Sequence, residues 1–218
     1  MPPPRQDNIL PRALPALARS LAALPVPAGI ALLVNNTRDA SAEIACEFGA
    51  TAGLPVFCFE ATLDPLIADA GHARRFALDL AAAVSHEAAV LLTTDADTVV
   101  SRTWAPRLCA AVRDGASLAL ATVEPDAAGF AALPEPLQAM AEVEQGLYAA
   151  QARLWRSRLP GTDPLLGLRA SGAGMAIDAR AYRRVGGAPI VASGEDRAMA
   201  RAMLSRAEPV AVVEAARA

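Results

Sequence analysis

The chain has 218 residues, 54% of them hydrophobic, with a net charge of −3 and a mean hydropathy of +0.29. That length suits one domain with a real core, and no run of 18 or more apolar residues is available to span a membrane. Aromatic content is 4% and all 20 basic residues are arginine, with no basic tract, so nothing favours nucleic acid and any mechanism that needs a lysine is excluded.

The opening MPPPRQDNILPR lacks the apolar run of a secretory signal. Leucines at 14, 17, 21 and 24 then recur every three or four residues, which predicts an amphipathic helix over 10–24. Residues 30–34 (IALLV) read as a buried strand. A helix is expected over 39–48, capped by Asp39 and ended before Gly49. Strands follow at 55–59, 89–93 and 117–123, with shorter ones at 174–177 and 209–213. Helical patterns occupy 72–84, 103–113, 137–158 and 194–207. The segments 125–136 and 159–170 read as loops, the second as a flap over a site. Cys46, Cys58 and Cys109 are far apart, odd in number and without a C-x-x-C, and Cys46 and Cys58 sit among apolar neighbours, which points to buried free thiols in a reducing cytoplasm. Strands alternating with helices imply an α/β domain with a mostly parallel sheet flanked by helices. Ligands gather at the carboxyl ends of such strands, here near 35–39, 95–98 and the turn before Gly194.

The segment LLTTDADTVV carries the chemistry. Asp95 and Asp97 follow a buried strand, and in extended chain alternate residues share a side. Two converging carboxylates repel unless a cation sits between them, and Mg²⁺ or Mn²⁺ is the hard cation that takes oxygen ligands and bridges phosphates. A polar loop in which Asp95 or Thr98 caps the next helix is the plainer reading. The same string also resembles the nucleophile motif of haloacid-dehalogenase-type phosphatases, although that motif usually opens its domain and is served by a later lysine or occasionally arginine.

Four blocks in order resemble the family 2 glycosyltransferases. They are IALLVNNTRDASAEIACEF, GHARRFALDLAAA, DADT and SGAGMAIDARAYRRVGGAPIVASGEDRAMARAMLSRA. The resemblance implies a single GT-A (Rossmann-like) domain over residues 1–218. It implies metal-dependent transfer, inverting in outcome, from a nucleoside-diphosphate sugar to an acceptor hydroxyl. Carried onto matching positions, Asp97 ligates Mn²⁺ or Mg²⁺ and Asp95 faces the ribose or the metal's water shell. Arg74 lies near the base or phosphates. Asp196 is the general base and Glu195 binds the acceptor. Gly172 and Gly174 leave room for donor sugar or acceptor. Pro4, Arg5 and Asp7 match the family's nucleotide-binding loop.

The sequence departs from the family in places. Asn35 stands where an acid usually reads the base, and Arg75 replaces an asparagine. The apolar strand that the family places before the PPRQDNIL loop has no counterpart, nor does an extension past Ala218 that commonly brings a histidine to the metal. The domain is therefore expected to be incomplete at both ends, with exposed strand edges. The partners implied are a nucleotide-sugar donor and an acceptor that is a saccharide, a lipid or a small molecule. A homodimer that covers the exposed edge and a peripheral contact with the inner face of the membrane stay open. The alternative is a catalytically impaired relative that still binds nucleotide.

Overall fold

The computed structural model describes residues 9–124, 126–158 and 170–217. In chain order the elements are α1 (Leu10–Leu21), β1 (Ile30–Asn35), α2 (Ser41–Thr51), β2 (Val56–Ala61), α3 (Ala70–Val84), β3 (Val90–Thr93), α4 (Trp104–Arg113), β4 (Leu118–Thr122), α5 (Ala127–Ala131), α6 (Glu135–Arg158), a 3₁₀ turn (Gly172–Gly174), β5 (Met175–Asp178), α7 (Ala179–Arg184), α8 (Glu195–Ser205) and β6 (Val210–Arg217). The expected strands and long helices are all present, but α2 runs through Gly49 to Thr51 instead of ending before that glycine, and Cys46 is exposed and Cys58 and Cys109 half-buried where buried thiols were expected. The 125–136 loop is a correction: it holds α5 and the start of α6. Pro136 sits in the first turn of α6, where a missing N–H costs nothing, so proline opens the helix here.

The four-stranded sheet has the order β3-β5-β4-β6 and owes its core to alternation. Successive strand residues point to opposite faces. On one face Leu118, Leu120, Met175 and Ile177 pack with Leu78 of α3, Tyr182 of α7, and Met199 and Met203 of α8. On the other, Ala119, Ala121 and Ala176 leave room for Trp104 and Leu108 of α4 and for Leu10 and Leu14 of α1. Small strand residues on one side therefore meet large helix residues. Each large side chain buried in this way contributes about 1.5–3 kcal/mol. Ser20 joins α1 to α4: its buried hydroxyl accepts the Ala105 N–H at 3.0 Å, capping a helix whose own Thr103 makes no capping bond.

The expectation of a mostly parallel sheet needs correction in one strand. β1 pairs with β2, and β4 with β6, in parallel, but β5 runs antiparallel to both β3 and β4. Its register pairs Met175 with Thr93, so the turn that precedes β5 lies beside the carboxyl end of β3.

Among the described residues β1 and β2 form a sheet of their own, and no ladder joins β1 to β3. Between these strands runs a cavity of about 1140 Å³, lined by residues of α1, β1, α3, β3 and α4. Most of its wall is apolar. Its polar lining includes Asn35, Arg74, Thr93, Thr94, Asp95 and Thr98 near the carboxyl ends of the strands. Trp104 also lines it, and the buried indole N–H of that residue has no acceptor among the described residues.

Candidate active site

Arg74 stands at the centre of the site, one turn into α3. Asp69 starts that helix: its carboxylate accepts the His72 N–H at 2.9 Å and also lies 2.9 Å from His72 Nδ1. The bond from the His72 N–H holds the Asp69 carboxyl below its usual range. Gly71 lets the backbone at Val191 press against the same turn, because a Cβ there would meet the Val191 carbonyl oxygen. Arg75, the departure from the family pattern, ties α3 down further along. It donates to Asp79 at 2.6 Å and to the carbonyls of Gly186 and Ala188 at 3.0 and 3.1 Å. Tyr182 donates to the other oxygen of Asp79 at 2.6 Å. Arg75 is thus engaged in structure.

These contacts bring the start of α8 to Arg74, whose planar fork then donates three ways. Nε donates to Glu195 Oε1, Nη2 to Asp95 Oδ1 and Nη1 to the Gly172 carbonyl, each at 3.0 Å. The side chains of Arg74 and Glu195 are only 15% and 9% exposed, against 47% for Asp95. Burial works to lower the pKa of Arg74, but the charge of Asp95 and the bonds to Asp95 and Glu195 outweigh it and raise it. Gly172 is required here, because a Cβ would run into the guanidinium.

The peptide of Gly172 extends the network. Its carbonyl also accepts the buried Thr93 hydroxyl at 2.8 Å, and its N–H donates to Asp196 Oδ2 at 3.3 Å. Asp196 Oδ1 accepts the N–H of Arg197 at 2.6 Å. Glu195 and Asp196 do occupy the first turn of α8, as a helix start would have them. Their bonds to Arg74 and Gly172, from remote parts of the chain, go beyond that role. Thr93 was not singled out from the sequence. Its signal was a hydroxyl at the end of an otherwise apolar strand.

The acidic pair differs in local geometry from the extended chain expected. Thr98 donates its N–H to the Asp95 carbonyl at 3.1 Å, so residues 95–98 form a turn. Asp95 is turned to Arg74, while Asp97 is exposed with no partner among the described residues. Neither Asp95 nor Thr98 caps α4. No group of three His, Cys, Asp or Glu side chains converges among the described residues. Two carboxylates still suit Mg²⁺ or Mn²⁺, which keep waters and complete their shell with substrate phosphates.

Arg74, Asp95, Gly172, Glu195 and Asp196 are therefore brought together. Asn35 ends β1 and lines the same cavity as Arg74 and Asp95. Pro4 and Arg5, with the 159–169 part of the proposed flap, lie outside the described residues. Asp39 accepts the Ser41 N–H at 2.9 Å at the start of α2. No helix among the described residues is long and apolar enough to cross a membrane.

No family model and no curated protein matches the chain by sequence. Among solved structures it resembles residues 1–349 of TarS from S. aureus, with a TM-score of 0.62 at 13% identity, covering 98% of this chain and 57% of that one. A longer TarS structure gives a TM-score of 0.61 at 12% identity, covering 98% of this chain and 34% of that one. The chain thus spans less than two thirds of either. The likeness shows the fold alone, an α/β fold with its sheet flanked by helices.

Proposed function

We propose that the chain transfers a sugar from a nucleoside-diphosphate sugar to an acceptor hydroxyl, with Mn²⁺ or Mg²⁺ as cofactor and inversion at the sugar carbon. The observation that supports this reading is the bridge made by Arg74 between Asp95 and Glu195, next to Asp196. One cation thus adjoins both carboxylate groups that such a transfer needs, one for the donor diphosphate and one for the acceptor. Asp97 and Asp95 are the residues to hold the metal, which would stabilise the charge of the departing diphosphate. Arg74 adds a fixed positive charge beside that diphosphate. Asn35, at the end of β1, hydrogen-bonds the edge of the nucleotide base. Glu195 holds acceptor hydroxyls. Asp196 takes the proton as the acceptor oxygen bonds to the sugar carbon and the bond to the diphosphate breaks.

The test is to incubate the chain with a panel of nucleotide-sugars and Mn²⁺ and to follow release of nucleoside diphosphate by mass spectrometry. Release that depends on Mn²⁺ and disappears in Asp97→Asn is expected. Release that is the same in EDTA contradicts the metal role. The open gap between β1 and β3 favours a second reading, a relative that binds nucleotide without turnover. Metal-dependent nucleotide binding by calorimetry, with no release from any sugar donor, would select it.

A further inference from the structure

We propose that Cys46 on α2 and Cys58 on β2 form a reversible disulfide when the chain meets a small disulfide such as oxidised glutathione. The chain reverses over residues 52–55, so α2 lies back along β2. Next to that reversal the two elements are tightly seated, because a Cβ on Gly49 would stand 3.0 Å from the Val56 Cβ. That is inside the Cβ–Cβ separation of about 3.5–4.5 Å that a disulfide spans. Residues three apart share a helix face, and alternate residues share a strand face. Moving away from Gly49 and Val56, the next residues to face each other are therefore Cys46 and Cys58, and after them Glu43 and Glu60.

The surroundings of Cys58 agree with this register. Its thiol is pushed up from its ordinary value by burial first, then by Cys46, Glu60 and Glu43 beside it, with a hydrogen bond to Cys46. The two carboxylates complete no metal-binding group with the thiols. Cys46 is exposed and Cys58 half-buried, so Cys46 meets the oxidant first. Its sulfur loses a proton and attacks one sulfur of oxidised glutathione, which forms a mixed disulfide and releases one glutathione thiol. Cys58 then loses its proton and attacks the Cys46 sulfur, which breaks the mixed bond and releases the second glutathione. Two protein thiols are oxidised and one glutathione disulfide is reduced to two thiols. The bond pins α2 to β2, and β2 is paired with β1, whose end carries Asn35. Cys109 lies on α4 beside Arg113 and serves as the unlinked control.

The test is to incubate the dilute full chain in glutathione buffers of graded ratio, alkylate the remaining thiols, and weigh the intact chain and its peptides by mass spectrometry. The expected species has lost two thiols, carries no glutathione, keeps Cys109 free and yields a peptide linked from Cys46 to Cys58. In Cys58→Ser, Cys46 should stop at the mixed disulfide. The equilibrium constant for the internal bond against glutathione should be at least about tenfold larger in native buffer than in urea, a difference of about 1.4 kcal/mol. Glutathione retained on Cys46 of the parent as on Cys58→Ser, a link from Cys46 to Cys109 or to a second copy, or an equilibrium constant no larger in native buffer than in urea would each overturn the proposal.

Discussion

Arg74 and Glu195 stand 121 residues apart in sequence and are joined Nε to Oε1 at 3.0 Å, both largely buried. A buried carboxylate without its cation is costly, so Arg74→Gln should lower unfolding free energy by about 3–5 kcal/mol. Arg74→Lys should fall short as well, because one ammonium cannot replace a fork that donates in three directions. Replacing both members of the pair with methionine should recover most of the loss. Urea unfolding of the three variants decides this; an Arg74→Gln protein as stable as the parent would mean that the pair holds nothing.

Gly172 lies directly under the same guanidinium. Gly172→Ala should displace Arg74 and cost about 1–3 kcal/mol by overpacking, with loss of nucleotide-dependent stabilisation. A thermal shift with nucleoside diphosphate and Mn²⁺, unchanged from the parent, would show that Arg74 does not act on the donor.

Asp196→Asn separates catalysis from capping. If Asp196 is the base, turnover should fall about 10²–10⁴-fold while donor binding persists. If it only starts α8, turnover should hold and stability should drop by about 0.3–1 kcal/mol. Glu195→Gln should instead raise the acceptor KM. Turnover and Tm measured on the same preparations distinguish these outcomes.

Glu208 makes the fold acid-sensitive. The bonds from Arg184 and then from the Ser117 hydroxyl hold its carboxyl at about 2, below an ordinary 4.5. A depressed folded-state pKa means that the stabilisation is fully present above about 4.5 and is lost as pH falls toward about 2. Glu208→Gln should therefore lower Tm at pH 7, and the gap from the parent should narrow as pH falls below about 4.5 and close only toward pH 2. Because Arg184 is 55% exposed, salt should narrow the gap as well. A gap that is constant with pH would assign the effect to packing.

The facing edges of β1 and β3 should be visible to hydrogen exchange. Alternate amides of β1 that bond β2 should be protected and the intervening ones should exchange fast. Uniform protection along β1 would show that the gap is closed in solution.

The sequence by itself determined most of the elements and their buried faces, though not α5. The leucine stripe of α1, the strand around Ala119 and Leu120, and the acidic start of α8 follow from local periodicity, which each segment carries within its own few residues. It also placed Asp95, Arg74, Gly172, Glu195 and Asp196 in one site, through resemblance rather than through spacing. Tertiary structure alone decided how they meet. The antiparallel insertion of β5 sets Gly172 beside Thr93, and that pairing of residues 79 positions apart leaves no periodic trace. The turn at Asp95–Thr98 cancels an alternation that holds only for extended backbone. Arg75 went to the carbonyls of a distant glycine turn, since a guanidinium is satisfied wherever the fold brings acceptors, and only the fold says where that is.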